Sequence, residues 1–89
     1  MDLTTVMNKL YESEINCSIA SHWDAGWEVK LGDENNGFAA ETWVRTLEEA
    51  AAFLDSAARE HFAESVYVLG AEEHFRRDRE RVARQPRYK

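Results

Sequence analysis

A chain of 89 residues is a single domain near the size where only roughly 60% of the unfolded surface can be buried, so its core must be thin and a second copy would help it. Its 17 acidic and 11 basic side chains leave a net charge of −6, but residues 1–75 hold 15 acidic against 4 basic groups, whereas residues 76–89 hold 2 against 7. An acidic body repels phosphate backbones, which disfavours nucleic-acid binding by the folded part and steers a basic protein partner towards it.

Asp2 is placed to cap a first helix in which Leu3, Val6, Met7, Leu10 and Tyr11 form one apolar stripe, with Asn8, Lys9 and Glu12 towards water. So short a helix needs a sheet to lie on, because packing supplies most of a helix's stability. From Ile15 the period changes to two: Ile15, Cys17, Ile19, Ser21 and Trp23 alternate with Asn16, Ser18, Ala20 and His22, as in a half-buried strand. The lone Cys17 excludes an internal disulfide and reads as a small buried hydrophobe in a reducing compartment.

Asp24-Ala25-Gly26 fits a three-residue hairpin loop leading into a second strand, Trp27 to Leu31, with Trp27, Val29 and Leu31 on one face and Glu28 and Lys30 on the other. By phase, Trp23 and Trp27 belong to the core with Val29 and Leu31. Gly32 to Gly37 is a longer turn. The third strand, Phe38 to Val44, places Phe38, Ala40, Thr42 and Val44 on the apolar face and Ala39, Glu41 and Trp43 on the mixed face of an antiparallel meander.

Thr46-Leu47-Glu48-Glu49 is a capping box, in which the Thr46 hydroxyl accepts from the N–H of Glu49 and the Glu49 carboxylate reaches back to the N–H of Thr46. The helix it opens carries Leu47, Ala50, Ala51, Leu54, Ala57, Ala58 and His61 on one stripe, with Phe53 on the flank and Phe62 at the end. His61 also suits the negative end of the helix dipole. Ser65 to Leu69 fits a fourth strand, a packed loop or a helical turn, and a packed extended segment is favoured. After Gly70, Ala71 to Arg84 reads as a charged helix with Glu72–Arg76, Glu73–Arg77 and Glu80–Arg84 at i,i+4, ended by Pro86 and followed by a short basic terminus.

The candidate chemistry is sparse. His22, His61, His74 and Cys17 show no paired metal-ligand spacing, Cys17 has no basic neighbour in sequence to activate it, and no nucleophile elbow or Gly-rich phosphate cradle is present. Asp33-Glu34-Asn35-Asn36-Gly37 lacks the spacing of a calcium loop. His22 can meet Glu28 and Glu41 across the mixed face, but polar groups are expected on a solvated strand face in any case. No catalytic residue, metal or cofactor is assigned, and the protein is not expected to be an enzyme.

Helix, three-stranded meander and helix, over about residues 2 to 62, resemble the double-stranded-RNA-binding domain in topology. That family holds phosphates with lysines at the start of its second helix, where this chain has Thr46-Leu47-Glu48-Glu49, so the resemblance implies an arrangement of elements and carries over no binding residue.

The expected fold is therefore α+β, α-β-β-β-α with both main helices on one face of the sheet over residues 1–70, and a charged helix and basic tail over residues 71–89. Trp43 is out of phase with the apolar face, so it projects from the open side near His22, Ala20, Ala39, Glu28 and Glu41, unless a bulge after Glu41 turns it into the core. Exposed, it has the composition of an interface hot spot, and burying its ring contributes on the order of 2–3 kcal/mol. The function expected is a protein-interaction or regulatory module, with a basic protein or a second copy as partner. The competing reading is an acidic inhibitor of phage or mobile-element type, in which Asp24, Glu28, Asp33, Glu34, Glu41, Glu48 and Glu49 imitate nucleic-acid phosphates. A third reading gives nucleic-acid contact to the arginine-rich tail. No apolar run long enough to span a membrane and no leader pattern is present, so a cytoplasmic protein without membrane contact is expected.

Overall fold

Helix α1 (Leu3–Glu12) starts where Asp2, extended, accepts the N–H of Thr5 at 2.8 Å. It ends in a Schellman turn: Ile15 N–H donates to the Leu10 carbonyl at 2.9 Å and Glu14 N–H to that of Tyr11 at 3.1 Å, with Glu14 in the left-handed region at φ 60°. Leu10 and Ile15, the two apolar residues that such a turn brings together, are both buried. The rest of the computed structural model, which describes residues 1–84, runs β1 (Cys17–His22), β2 (Gly26–Gly32), β3 (Phe38–Val44), α2 (Leu47–His61), α3 (Val66–Leu69) and α4 (Ala71–Arg84), the expected order apart from the helical turn α3. The fold is α+β, with a three-stranded antiparallel sheet in the order β1-β2-β3.

The register sorts the side chains into two faces. Cys17, Leu31 and Ala40 lie in one row across the sheet, Ile19, Val29 and Thr42 in the next, and Ser21, Trp27 and Val44 in the third. Helix α2 lies across β2 and β3 on that side and α1 packs against α2, so Val6, Leu10, Val29, Leu31, Ala50, Ala51, Leu54, Ala57 and Ala58 form one core. Four of the five buried residues of α2 are alanines, which lets its axis approach the sheet closely.

Several local expectations are corrected. Tyr11 is 84% exposed, because it falls at the edge of the α1 stripe in the last turn. His61, at the exposed end of α2, lies 3.9 Å from Glu60 and outside the core. Lys9 is half-buried, its ammonium 4.3 Å from the centre of the Tyr67 ring. In the capping box Glu49 N–H donates to the Thr46 hydroxyl at 3.1 Å, but the hydroxyl in turn donates to the Glu49 carboxylate at 3.4 Å, so the reciprocal bond goes through the side chain rather than the Thr46 N–H. In α4, Arg76 pairs with Glu73 and Glu80 rather than with Glu72, while the Glu73–Arg77 pair forms at 2.8 Å. The Glu80–Arg84 pair, Pro86 and the basic terminus fall outside the described residues and side chains.

Ser65 to Leu69 is helical, not extended. Ser65 caps α3 by accepting the N–H of Val68, and the turn inserts Tyr67 into the core. Its hydroxyl donates to Asp55 of α2 at 2.6 Å, and Asp55 also accepts from Arg59 at 3.1 Å. The bond from Tyr67 holds the Asp55 carboxyl below its ordinary range, while burial and the same bond push the Tyr67 phenol up. A buried phenol needs such a partner, and one turn of helix delivers it to Asp55. Helix α4 packs against α3 and is fastened by His74, whose Nδ1 lies 2.7 Å from the Glu64 carbonyl, and by Arg77, 3.0 Å from the Glu64 carboxylate.

Candidate interaction surface

The opposite face of the sheet carries the candidate residues. Across the strands, Ala20, Glu28 and Trp43 occupy one row and Ser18, Lys30 and Glu41 the next, so alternation alone brings Trp43 to the solvent side. Its indole is 50% exposed. At the end of β1, His22 is opposite Gly26, which has no side chain to stand between it and β3, and its ring lies 4.7 Å from that of Trp43 at 57°. His22 Nε2 is also 3.8 Å from Glu28 Oε1. His22, Glu28 and Trp43 thus form one cluster, rimmed by the exposed Ala20. Glu41 belongs to the neighbouring row and faces Lys30.

A bulge does interrupt β3, but at its start. Leu31 pairs with Ala40 and Gly32 with Phe38, so Ala39 is the extra residue and is exposed. The bulge leaves Trp43 in phase with the open face and reverses Phe38: the Lys30 ammonium sits 4.7 Å from the centre of the Phe38 ring, on the open side. Phe38 therefore lies on the open face and not, as alternation predicts, with Ala40, Thr42 and Val44. Gly32 sits opposite the bulge at φ 102°, with the Ala39 nitrogen 3.0 Å from where a Cβ would stand.

The first hairpin also departs from expectation. Strand β1 ends at His22, which pairs with Gly26, and the loop is Trp23-Asp24-Ala25, closed by the Ala25 N–H donating to the His22 carbonyl at 2.8 Å. Trp23 leaves the alternation of β1 one residue early and stands 98% exposed at the hairpin tip, whereas Trp27 packs against the core as expected. Gly26 is required there. Its φ is 104°, and a Cβ would overlap the carbonyl of Val44. Trp23, Trp27 and Arg45, with Ser21 and Gly26, line an open depression of about 320 Å³. All three tryptophans therefore gather at the hairpin end of the sheet, and two of them are exposed.

This surface offers an aromatic ring, small side chains and two carboxylates, Glu28 and Glu41, which suits apolar burial and contact with cations. The thiol of Cys17, half-buried, is pushed up by burial and so is held in its less nucleophilic form. The seven carboxylates of the phosphate-imitation reading are spread over the open face, both inter-strand loops and the start of α2, and Asp33 is engaged by Asn36 and Asn16. Sequence reasoning assigned Lys30 correctly to the open face but placed Phe38 on the apolar face and Trp23 in the core, whereas Phe38 lies on the open side and Trp23 stands exposed at the hairpin tip. The available signal was Gly26, whose pairing with His22 ends β1 before Trp23. Comparison with known protein families, curated proteins and solved structures finds no match.

Proposed function

We propose that the protein is a non-enzymatic protein-interaction or regulatory module whose contact surface is the open sheet face centred on Trp43. The observation that supports this most is the half-exposed Trp43 indole, steadied by His22 and bordered by Ala20, Glu28 and Glu41 on a face that none of the described helices covers. A preorganised indole among small residues contributes its area to a partner with little ordering cost. The net charge of −6 favours a basic protein as that partner, and a reducing, cytoplasmic setting suits the single thiol.

Affinity capture from the native host with wild-type and Trp43→Ala bait tests the reading. Proteins retained by the wild type and lost by a folded Trp43→Ala variant support it, and retention should persist at high salt because apolar burial drives it. Retention that ignores the substitution overturns it, and affinity that collapses with salt would favour phosphate imitation by the carboxylates instead.

A further inference from the structure

Among the described residues a second feature, separate from the Trp43 face, is left uncovered. Strand β1 is an outer strand whose main packing is with β2 alone: α2 lies over β2 and β3, and α1 lies against α2 and α3. On the helix side of β1, Cys17 and Ile19 remain half-buried and Ser21 exposed.

The free backbone groups of this edge can be assigned. Gly32 N–H donates to the Asn16 carbonyl at 2.7 Å, which makes Asn16 and Gly32 a hydrogen-bonded pair. Alternation along an antiparallel ladder then directs Ser18, Ala20 and His22 towards β2 and leaves the N–H and C=O of Cys17, Ile19 and Ser21 pointing outward.

Exposed edges are usually guarded by charge, proline or a bulge. The other outer strand, β3, has a bulge at Ala39 and a charge at Glu41. Strand β1 has none of these. Its ladder with β2 runs unbroken from Cys17 to His22, and residues 15–23 are the longest stretch of the chain without Asp, Glu, Lys or Arg.

We infer that β1 is a self-association edge, pairing antiparallel with β1 of a second copy to join two sheets into one of six strands. The charge pattern selects this occupant. Two bodies of the same negative sign repel at most approaches, and the uncharged run is where they meet without opposed carboxylates, whereas a basic partner is drawn to the acidic surfaces instead. The outward groups also fix the register. A two-fold axis at Ile19 sets Ile19 opposite its own copy and Cys17 opposite Ser21 of the other chain, so all three outward-pointing residues are used in each copy. The two Ile19 side chains then lie side by side on the helix side, extending the row that each forms with Val29 at the margin of its core.

Sedimentation of the wild type, Ser21→Pro, Ser21→Cys and Trp43→Ala tests the proposal. Proline at 21 removes an outward N–H while sparing the ladder to β2. The wild type and Trp43→Ala should sediment as dimers across the micromolar range, and Ser21→Pro, folded by circular dichroism, should be a monomer. Opposed residues of a hydrogen-bonded pair stand ~5.5 Å apart between Cα atoms, within disulfide reach, so Ser21→Cys should give a covalent dimer through Cys17 under mild oxidation. A wild type that stays monomeric overturns the proposal, as does a Ser21→Pro dimer, or an edge that pairs only with a strand of a different protein. Loss of dimer in Trp43→Ala alone would overturn it by assigning self-association to the Trp43 face, while Trp43→Ala dimers that lose host partners leave both readings standing.

Discussion

The ring of His22, on one outer strand, rests 4.7 Å from the indole of Trp43 on the other, meeting it across the bare backbone of Gly26 in the strand between. The contact packs one face of a half-exposed tryptophan against a fixed neighbour. His22→Ala should therefore weaken partner binding by roughly 0.5–1.5 kcal/mol, the range of an aromatic pair, while leaving stability nearly unchanged. Titration calorimetry of a captured partner together with urea unfolding separates the two effects.

Gly26 makes that meeting geometrically feasible. A side chain there meets the Val44 carbonyl and must adopt φ 104°. Gly26→Ala should cost about 1–3 kcal/mol, read as a lower urea midpoint, and should also disturb the His22–Trp43 contact. An alanine variant as stable as the wild type would show that the hairpin relaxes without strain.

Glu14 is the one non-glycine residue with positive φ among those described. Its side chain makes no use of that conformation, which costs an L-residue about 1–2 kcal/mol, whereas glycine adopts it freely at some cost in unfolded-state entropy. Glu14→Gly is expected to raise stability by about 0.5–1 kcal/mol. Thermal unfolding checks it.

The Tyr67–Asp55 bond gives the fold a pH signature. Asp55 is depressed below its ordinary 3.8, so its contribution is fully present above that value and is lost as pH falls through the lower folded value. Tyr67 is raised above its ordinary 10.0, so its contribution is present below pH 10 and is lost as pH rises beyond it. Tyr67→Phe should cost about 1–2 kcal/mol at neutral pH, because a hydrogen bond to a partly solvated charged group is lost, and should flatten the stability profile below pH 4 and above pH 10. Urea midpoints across that range test both limbs.

Element order was legible in the sequence because period-two and period-3.6 patterns change abruptly at Ile15 and Thr46. The open position of Trp43 was legible for the same reason: Thr42 and Val44 flank it in register with Val29 and Trp27. What alternation cannot show is where pairing stops or slips. Trp23 continues the β1 pattern on paper, but the turn claims it, and Phe38 fits the apolar phase until the Ala39 bulge shifts it. Tyr67 was obscured differently. Val66, Tyr67 and Val68 favour a strand, and the tertiary bond to Asp55, together with the Ser65 cap, outweighs that preference.

The most direct test of the Trp43 surface is hydroxyl-radical footprinting of the protein free and bound to a host partner captured on it. In the free protein Trp43 should be oxidised readily, and in the complex its oxidation should fall severalfold along with that of His22, while the exposed Tyr11 on the helical side stays as reactive as before. Equal oxidation of Trp43 in the free and bound states would contradict the account and place the partner elsewhere on the molecule.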